Sequence, residues 1–161
     1  MTPTVKGELE MVKRISIGLL ASAALFVLAL EGGASARSVS ASTGKARYRT
    51  DTPCFSYSFT TGVVTSSCTS DFIVPLTTDH SGTKSLAVTG KATGPGAAIC
   101  RAVANNRFAT ALSASQFVEI PVSTSYVQVR TGSVSVPSKG VFLADCIVNN
   151  GTRLSEFDYP E

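Results

Sequence analysis

Tyr126-Val127-Gln128-Val129-Arg130-Thr131-Gly132-Ser133-Val134-Ser135-Val136 alternates apolar and polar residues on both sides of a Thr-Gly pair. A period of two is that of a strand with one buried face. A two-residue turn at Thr131-Gly132 would set Arg130 opposite Ser133, Val129 opposite Val134 and Val127 opposite Val136. The four valines then share the core face, and Tyr126, Gln128, Arg130, Ser133 and Ser135 share the other. The stretch therefore predicts an antiparallel β-hairpin, with Tyr126, Gln128 and Arg130 on a candidate binding face.

The same grammar extends in both directions. β-like runs fall at 55–59, 63–67, 71–74, 85–92, 97–103, 108–112, 117–122, 141–148 and 153–159. Between them stand Asp79-His80-Ser81-Gly82, Gly94-Pro95-Gly96, Asn105-Asn106, Pro137-Ser138-Lys139-Gly140 and Asn149-Asn150-Gly151. Short strands with turn signals about every ten residues indicate an all-β chain, an antiparallel β-sandwich of about seven to ten short strands. The best window for a helix, 109–117, has only a weak 3.6-residue period.

Four cysteines, Cys54, Cys68, Cys100 and Cys146, lie within this region. Four cysteines allow three pairings. Cys54 and Cys68 are symmetric about Thr61, where Thr61-Gly62 marks a turn between two strand-like runs. That favours Cys54–Cys68 across a hairpin and leaves Cys100–Cys146. Small residues at Ala98 and Ala102 leave room for the second bridge to be buried. No C-x-x-C and no zinc spacing is present, so metal and redox roles are not indicated.

The N-terminal part has a different composition. Lys13 and Arg14 precede an uncharged apolar run over 15–30, and Ala34-Ser35-Ala36 supplies a small-x-small cleavage pattern. This is the tripartite form of a secretory signal over 11–36, with cleavage after Ala36. The apolar run ends at Glu31, short of the ~20 residues of a membrane span. Residues 1–10 carry Glu8 and Glu10 ahead of the positive region and read as an upstream start-site extension. Residues 37–52, basic and poor in large apolar side chains, read as a flexible leader, which leaves the sandwich at 53–161. Export places the product in the periplasm or outside the cell, where disulfides persist.

Composition narrows the chemistry. The chain has 161 residues, 16% of them charged, with a net charge of +3 and a single histidine. The charge is too small and too scattered for a nucleic-acid footprint. His80 lies in a turn-forming stretch with no G-x-S-x-G nucleophile motif elsewhere, so a serine triad is not indicated. No phosphate loop or dinucleotide fingerprint occurs, and no cofactor is expected. A glycosidase requires two carboxylates facing across a cleft. Glu119 and Asp145, both set among apolar residues, are the pair to examine. Asn150-Gly151-Thr152 matches a glycan acceptor and reads more simply as a turn between the last two strands. Sugar-binding sandwiches present aromatic platforms. Tryptophan is absent, so Tyr57 and Tyr126 are the candidates for that role.

Pro53-Cys54-Phe55, Ser67-Cys68, Ala98-Ile99-Cys100-Arg101, the closing run 141–148 and Phe157-Asp158-Tyr159 together resemble a group of small exported bacterial four-cysteine proteins. The resemblance spans about Cys54 to Glu161. It implies export, strands and disulfides, and no particular activity. The sequence thus leads to an exported non-catalytic binding or structural module of the envelope or secretome. Its expected partner is an envelope polysaccharide or an extracytoplasmic protein. The candidate binding residues are Tyr57, Tyr126, Gln128 and Arg130. The competing expectations are a small secreted hydrolase using the carboxylate pair, or a secreted protein inhibitor.

Overall fold

The period-two pattern becomes fourteen strands in the computed structural model, which describes residues 36–94, 96–108 and 110–160. In chain order the first seven are β1 (Ala36–Ser40), β2 (Lys45–Ala46), β3 (Phe55–Ser58), β4 (Val63–Ser66), β5 (Ser70–Leu76), β6 (Gly82–Lys84) and β7 (Ala87–Ala92). They continue with β8 (Ala98–Asn105), β9 (Ala111–Ala114), β10 (Val118–Ile120), β11 (Val127–Arg130), β12 (Val134–Val136), β13 (Val141–Val148) and β14 (Thr152–Pro160). The first sheet runs β11-β7-β14-β4-β3, with β1 also on β14. The second runs β10-β8-β13-β5-β2, with β9 also on β8, and β12-β6 forms a short third ladder. All strand pairs are antiparallel. The strands outnumber the seven to ten expected because several, such as two-residue β2, are too short to leave a pattern.

The core lies between the two main sheets. Val64, Val88, Leu154, Phe157 and Tyr159 from the first meet Phe72, Val74, Phe142, Ala144 and Val148 from the second. Two ring pairs cross the interface: Phe55 against Phe72 at 4.9 Å, and Phe142 edge-on to Tyr159 at 5.7 Å. The Tyr159 hydroxyl donates to the Thr77 carbonyl at 2.7 Å, so the buried phenol is not left unpaired.

The pairing of 126–136 differs from the hairpin expected of it. β11 pairs with β7, Val127 facing Gly90 and Arg130 facing Ala87. β12 pairs with β6, Val134 facing Lys84 and Val136 facing Gly82. The whole stretch is one interrupted strand lying antiparallel to 82–90, and the register slips by one residue at Thr131-Gly132. A type I′ hairpin turn needs positive φ at both central residues, which a β-branched threonine resists. Neither Thr131 nor Gly132 has positive φ. Thr131 instead closes on Leu86: its N–H donates to the Leu86 carbonyl at 2.8 Å, and its hydroxyl oxygen accepts from the Leu86 N–H at 3.2 Å. The pair acts as a bulge that lets both chains leave the first sheet together. The assignment of faces is unaffected. Val134 and Val136 are buried, Val127 and Val129 pack on the core, and Tyr126, Gln128, Arg130, Ser133 and Ser135 are exposed.

Residues 37–52, expected as a flexible leader, are woven into both sheets. β1 pairs with β14 over Ala36↔Pro160 to Ser40↔Glu156, and β2 pairs with β5. Ala41 is fully buried. Gly44 passes so close to the second sheet that a Cβ there would stand 2.5 Å from the Phe72 ring. Few large side chains were needed to anchor this segment, because its backbone completes sheet ladders and its small residues fit under them. The sandwich therefore includes β1 and β2 and does not begin at residue 53. The expected extension 1–10 and signal segment 11–36 lie, Ala36 apart, outside the described residues. The weak helix window 109–117 contains β9 instead.

Both disulfides are formed as expected, Cys54–Cys68 and Cys100–Cys146. In the β3–β4 hairpin Phe55 faces Ser66, which sets Cys54 level with Ser67, one residue from the symmetry expected. The bridge is therefore diagonal across the open end of the hairpin. Cys100 and Cys146 face each other directly on β8 and β13, both fully buried, with Cα atoms 4.1 Å apart.

Candidate functional site

The strands of the second sheet are apolar on both faces. In β13, Phe142, Ala144, Cys146 and Val148 enter the core, while Val141, Leu143 and Ile147 point away from the first sheet. Ile99 and Val103 on β8 and Ile73 on β5 share that outer side. An antiparallel sheet with one solvated face ordinarily alternates apolar and polar residues. The first sheet follows that rule, presenting Ser56, Thr65, Lys91, Thr89, Arg153, Glu156 and Asp158 on its outer side.

A charged group sits in the middle of this apolar face. Asp145 on β13 faces Arg101 on β8 and Ile73 on β5. Arg101 donates to Asp145 Oδ2 from Nε at 2.9 Å and places Nη2 at 2.9 Å from the same oxygen. Arg47, just past β2, brings Nη2 to 2.8 Å from Oδ1, an ion-pair contact off the hydrogen-bond axis. Its Nη1 donates to Asp71 at 3.4 Å. Asp145 is 1% exposed although it lies on an outer face, because the two guanidinium groups close over it. Arg101 is also held from the other side, with its guanidinium carbon 4.4 Å from the centroid of the Phe117 ring. Phe117 is 37% exposed just ahead of β10, and Glu119 follows it on the same face, opposite Ile99. The result is a sheet face with an aromatic ring, aliphatic side chains and guanidinium donors side by side.

The four tyrosine, glutamine and arginine candidates are not brought together. Tyr57 lies on β3 and Tyr126 just before β11, at opposite edges of the first sheet. Tyr57 packs inward on the core and stacks on Phe59 at 6.4 Å. Burial raises its pKa above the usual 10.0. Tyr126 is exposed, with the Lys91 ammonium 4.9 Å from its ring centroid. Gln128 and Arg130 do share a place: together with Asp158 they border a hollow of about 160 Å³. Glu119 and Asp145 share the second sheet's outer face, but Asp145 is engaged by two guanidinium groups and does not stand free toward Glu119. His80 is exposed on the β5–β6 loop, among Asp79, Ser138 and Lys139. Among the described residues no cluster of His, Cys, Asp or Glu could hold a metal ion, and no helix is long and apolar enough to cross a membrane.

The outer-face group was missed in the sequence, although a signal was present. The runs Ala98–Asn105 and Val141–Val148 are apolar at odd and even positions alike, each interrupted by one outward charge, Arg101 or Asp145. Such a run reads as a strand apolar on both faces.

No family model and no curated protein matches the chain. Solved structures do. The C-terminal carbohydrate-binding module (CBM6) of LamC, a marine laminarinase from Zobellia galactanivorans, superposes with a TM-score of 0.53 at 10% identity, over 79% of this chain and 100% of that one. The GH26-CBM35 β-(1,4)-mannanase of Podospora anserina gives 0.51 at 16% identity, over 80% of this chain and 28% of that one. At these identities the likeness is one of fold: the chain is an antiparallel, disulfide-bonded β-sandwich of the architecture seen in carbohydrate-binding modules.

Proposed function

We propose that this chain is an exported, non-catalytic module that binds a polysaccharide on the outer face of its second sheet. The observation that carries the reading is the surface around Phe117, Arg101 and Asp145. Sugar rings present apolar C–H faces beside hydroxyl groups, and that surface offers an aromatic ring beside guanidinium donors. Its charges, Lys45, Arg47 and Arg101 against Asp71, Asp145 and Glu119, balance, which suits an uncharged chain. Small-molecule sites are concave pockets, whereas the outer face of a sheet can be contacted along its length by a polymer. The fold supports the same class of ligand.

Export belongs to the same reading. The two disulfides fit an oxidising compartment. Cleavage after Ala36 would leave Arg37 as the first residue of β1, so the sandwich would lose one residue of one ladder. Intact-mass measurement of the exported product tests this, with Arg37 the expected N-terminus.

Binding is tested by electrophoresis of the exported protein through gels containing laminarin, β-1,4-mannan or envelope polysaccharide. Retardation by at least one polymer is expected, and its loss in Phe117→Ala. Unaltered migration in every polymer overturns the reading, and capture of a single protein from envelope extract instead replaces the polysaccharide with a protein partner.

A further inference from the structure

We infer that the hollow bordered by Arg130, Gln128 and Asp158 is a second binding site, one that takes a small carboxylate group. It lies on the first sheet, on the opposite side of the sandwich from the proposed polysaccharide face, and does not depend on that reading. Its origin is a single small residue. Arg130 on β11, Ala87 on β7, Asp158 on β14 and Ser38 on β1 stand in one cross-strand row. The methyl of Ala87 between the larger side chains of Arg130 and Asp158 leaves a dip of about 160 Å³, with Ala36 and Pro160 at its apolar wall. That is room for about five water molecules and well short of a drug-sized pocket, so it fits one end group and not a chain.

The charges around the dip are not matched to each other. Asp158 is drawn toward Gln128, whose Nε2 donates to its Oδ2 at 2.9 Å. Among the described residues, the Arg130 guanidinium forms no ion pair or hydrogen bond, with Asp158 or with any other residue. A guanidinium carries a planar fork of donors that grips a carboxylate through two parallel bonds. Here it overhangs an apolar floor where such a group would be partly withdrawn from water. On the reading that export cuts after Ala36, the new ammonium of Arg37 replaces the Ala36 wall and adds a second cation at the rim.

The test is an NMR titration of ¹⁵N-labelled exported protein with sodium glucuronate, sodium acetate and glucose. The signals to follow are the Arg130 Nε–H and the Gln128 side-chain amide. Glucuronate should move both saturably, and glucose should leave them in place. Acetate moving the same signals assigns the site to the carboxylate alone, and tighter binding of glucuronate adds its ring; both support the site. Arg130→Gln should weaken binding about tenfold or more, and Ala87→Leu, which fills the dip, should abolish it, with backbone spectra showing the fold intact. Equal shifts with glucose, no shift with either carboxylate, or undiminished binding in both folded variants overturns the proposal.

Discussion

Arg101 and Asp145 face each other across β8 and β13 and are joined by two 2.9 Å contacts to one carboxylate oxygen, on the outer side of a sheet whose inner side holds the Cys100–Cys146 bridge one residue away. The same two strands thus fix the core and display the charged group. That coupling makes the outer face rigid, since neither strand can shift without disturbing the buried bridge.

Removing the carboxylate should be felt in stability. Asp145→Ala leaves the Arg101 guanidinium without its counter-charge and Arg47 with Asp71 alone. Breaking a buried pair costs about 3–5 kcal/mol, and the partial exposure of both arginines, near one third, lowers the expected loss to about 2–3 kcal/mol. Urea unfolding measures it. A loss under about 0.5 kcal/mol would show that the arginines relax into solvent without cost.

The two disulfides should differ in weight. Their separations of 14 and 46 residues give loop-closure contributions of about 3 and about 4 kcal/mol. The Cys100→Ala/Cys146→Ala pair should therefore lower the unfolding free energy more than Cys54→Ala/Cys68→Ala. Packing adds to the difference, because Cys100 and Cys146 are fully buried and the first pair is half-buried. Equal losses in urea melts would contradict this ordering.

Gly44 tests how firmly the N-terminal segment is bound. A methyl at this position would meet the Phe72 ring at 2.5 Å and Val74 at 2.7 Å, both in the core. Overpacking of this kind costs about 1–3 kcal/mol. Gly44→Ala should lower the thermal midpoint and raise hydrogen exchange in β1 and β2. No change in either would mean the segment lies loosely on the sheet.

Tyr57 gives a pH dependence with a definite sign. Its pKa is raised in the folded state by burial, so above the usual 10.0 the unfolded chain loses this proton first. The contribution is fully present below pH 10 and is lost as pH rises through the folded-state value. Urea midpoints of the wild type should fall between pH 9 and pH 11 by more than those of Tyr57→Phe. Parallel falls would place the ionisation elsewhere.

The alternation at 126–136 determined which side of each residue faces the core, because side-chain direction in a strand follows from local geometry with a period of two. The signals at Thr61-Gly62 and the cysteine positions were likewise local enough to give the β3–β4 hairpin and, with it, both bridges. What the pattern could not determine was the partner. Any alternating strand can ladder with any other, and 126–136 lies along 82–90 instead of folding on itself, because Thr131 takes no positive φ and closes on Leu86. Residues 37–52 escaped for a related reason: they are held by backbone ladders and by small buried residues, which leave no apolar signature. The outer-face group depended on tertiary structure most of all. Arg47, Arg101, Phe117 and Asp145 come from separate parts of the chain, and only the order β10-β8-β13-β5-β2 makes them neighbours, since contact across a sheet is set by register between distant strands and not by spacing along one.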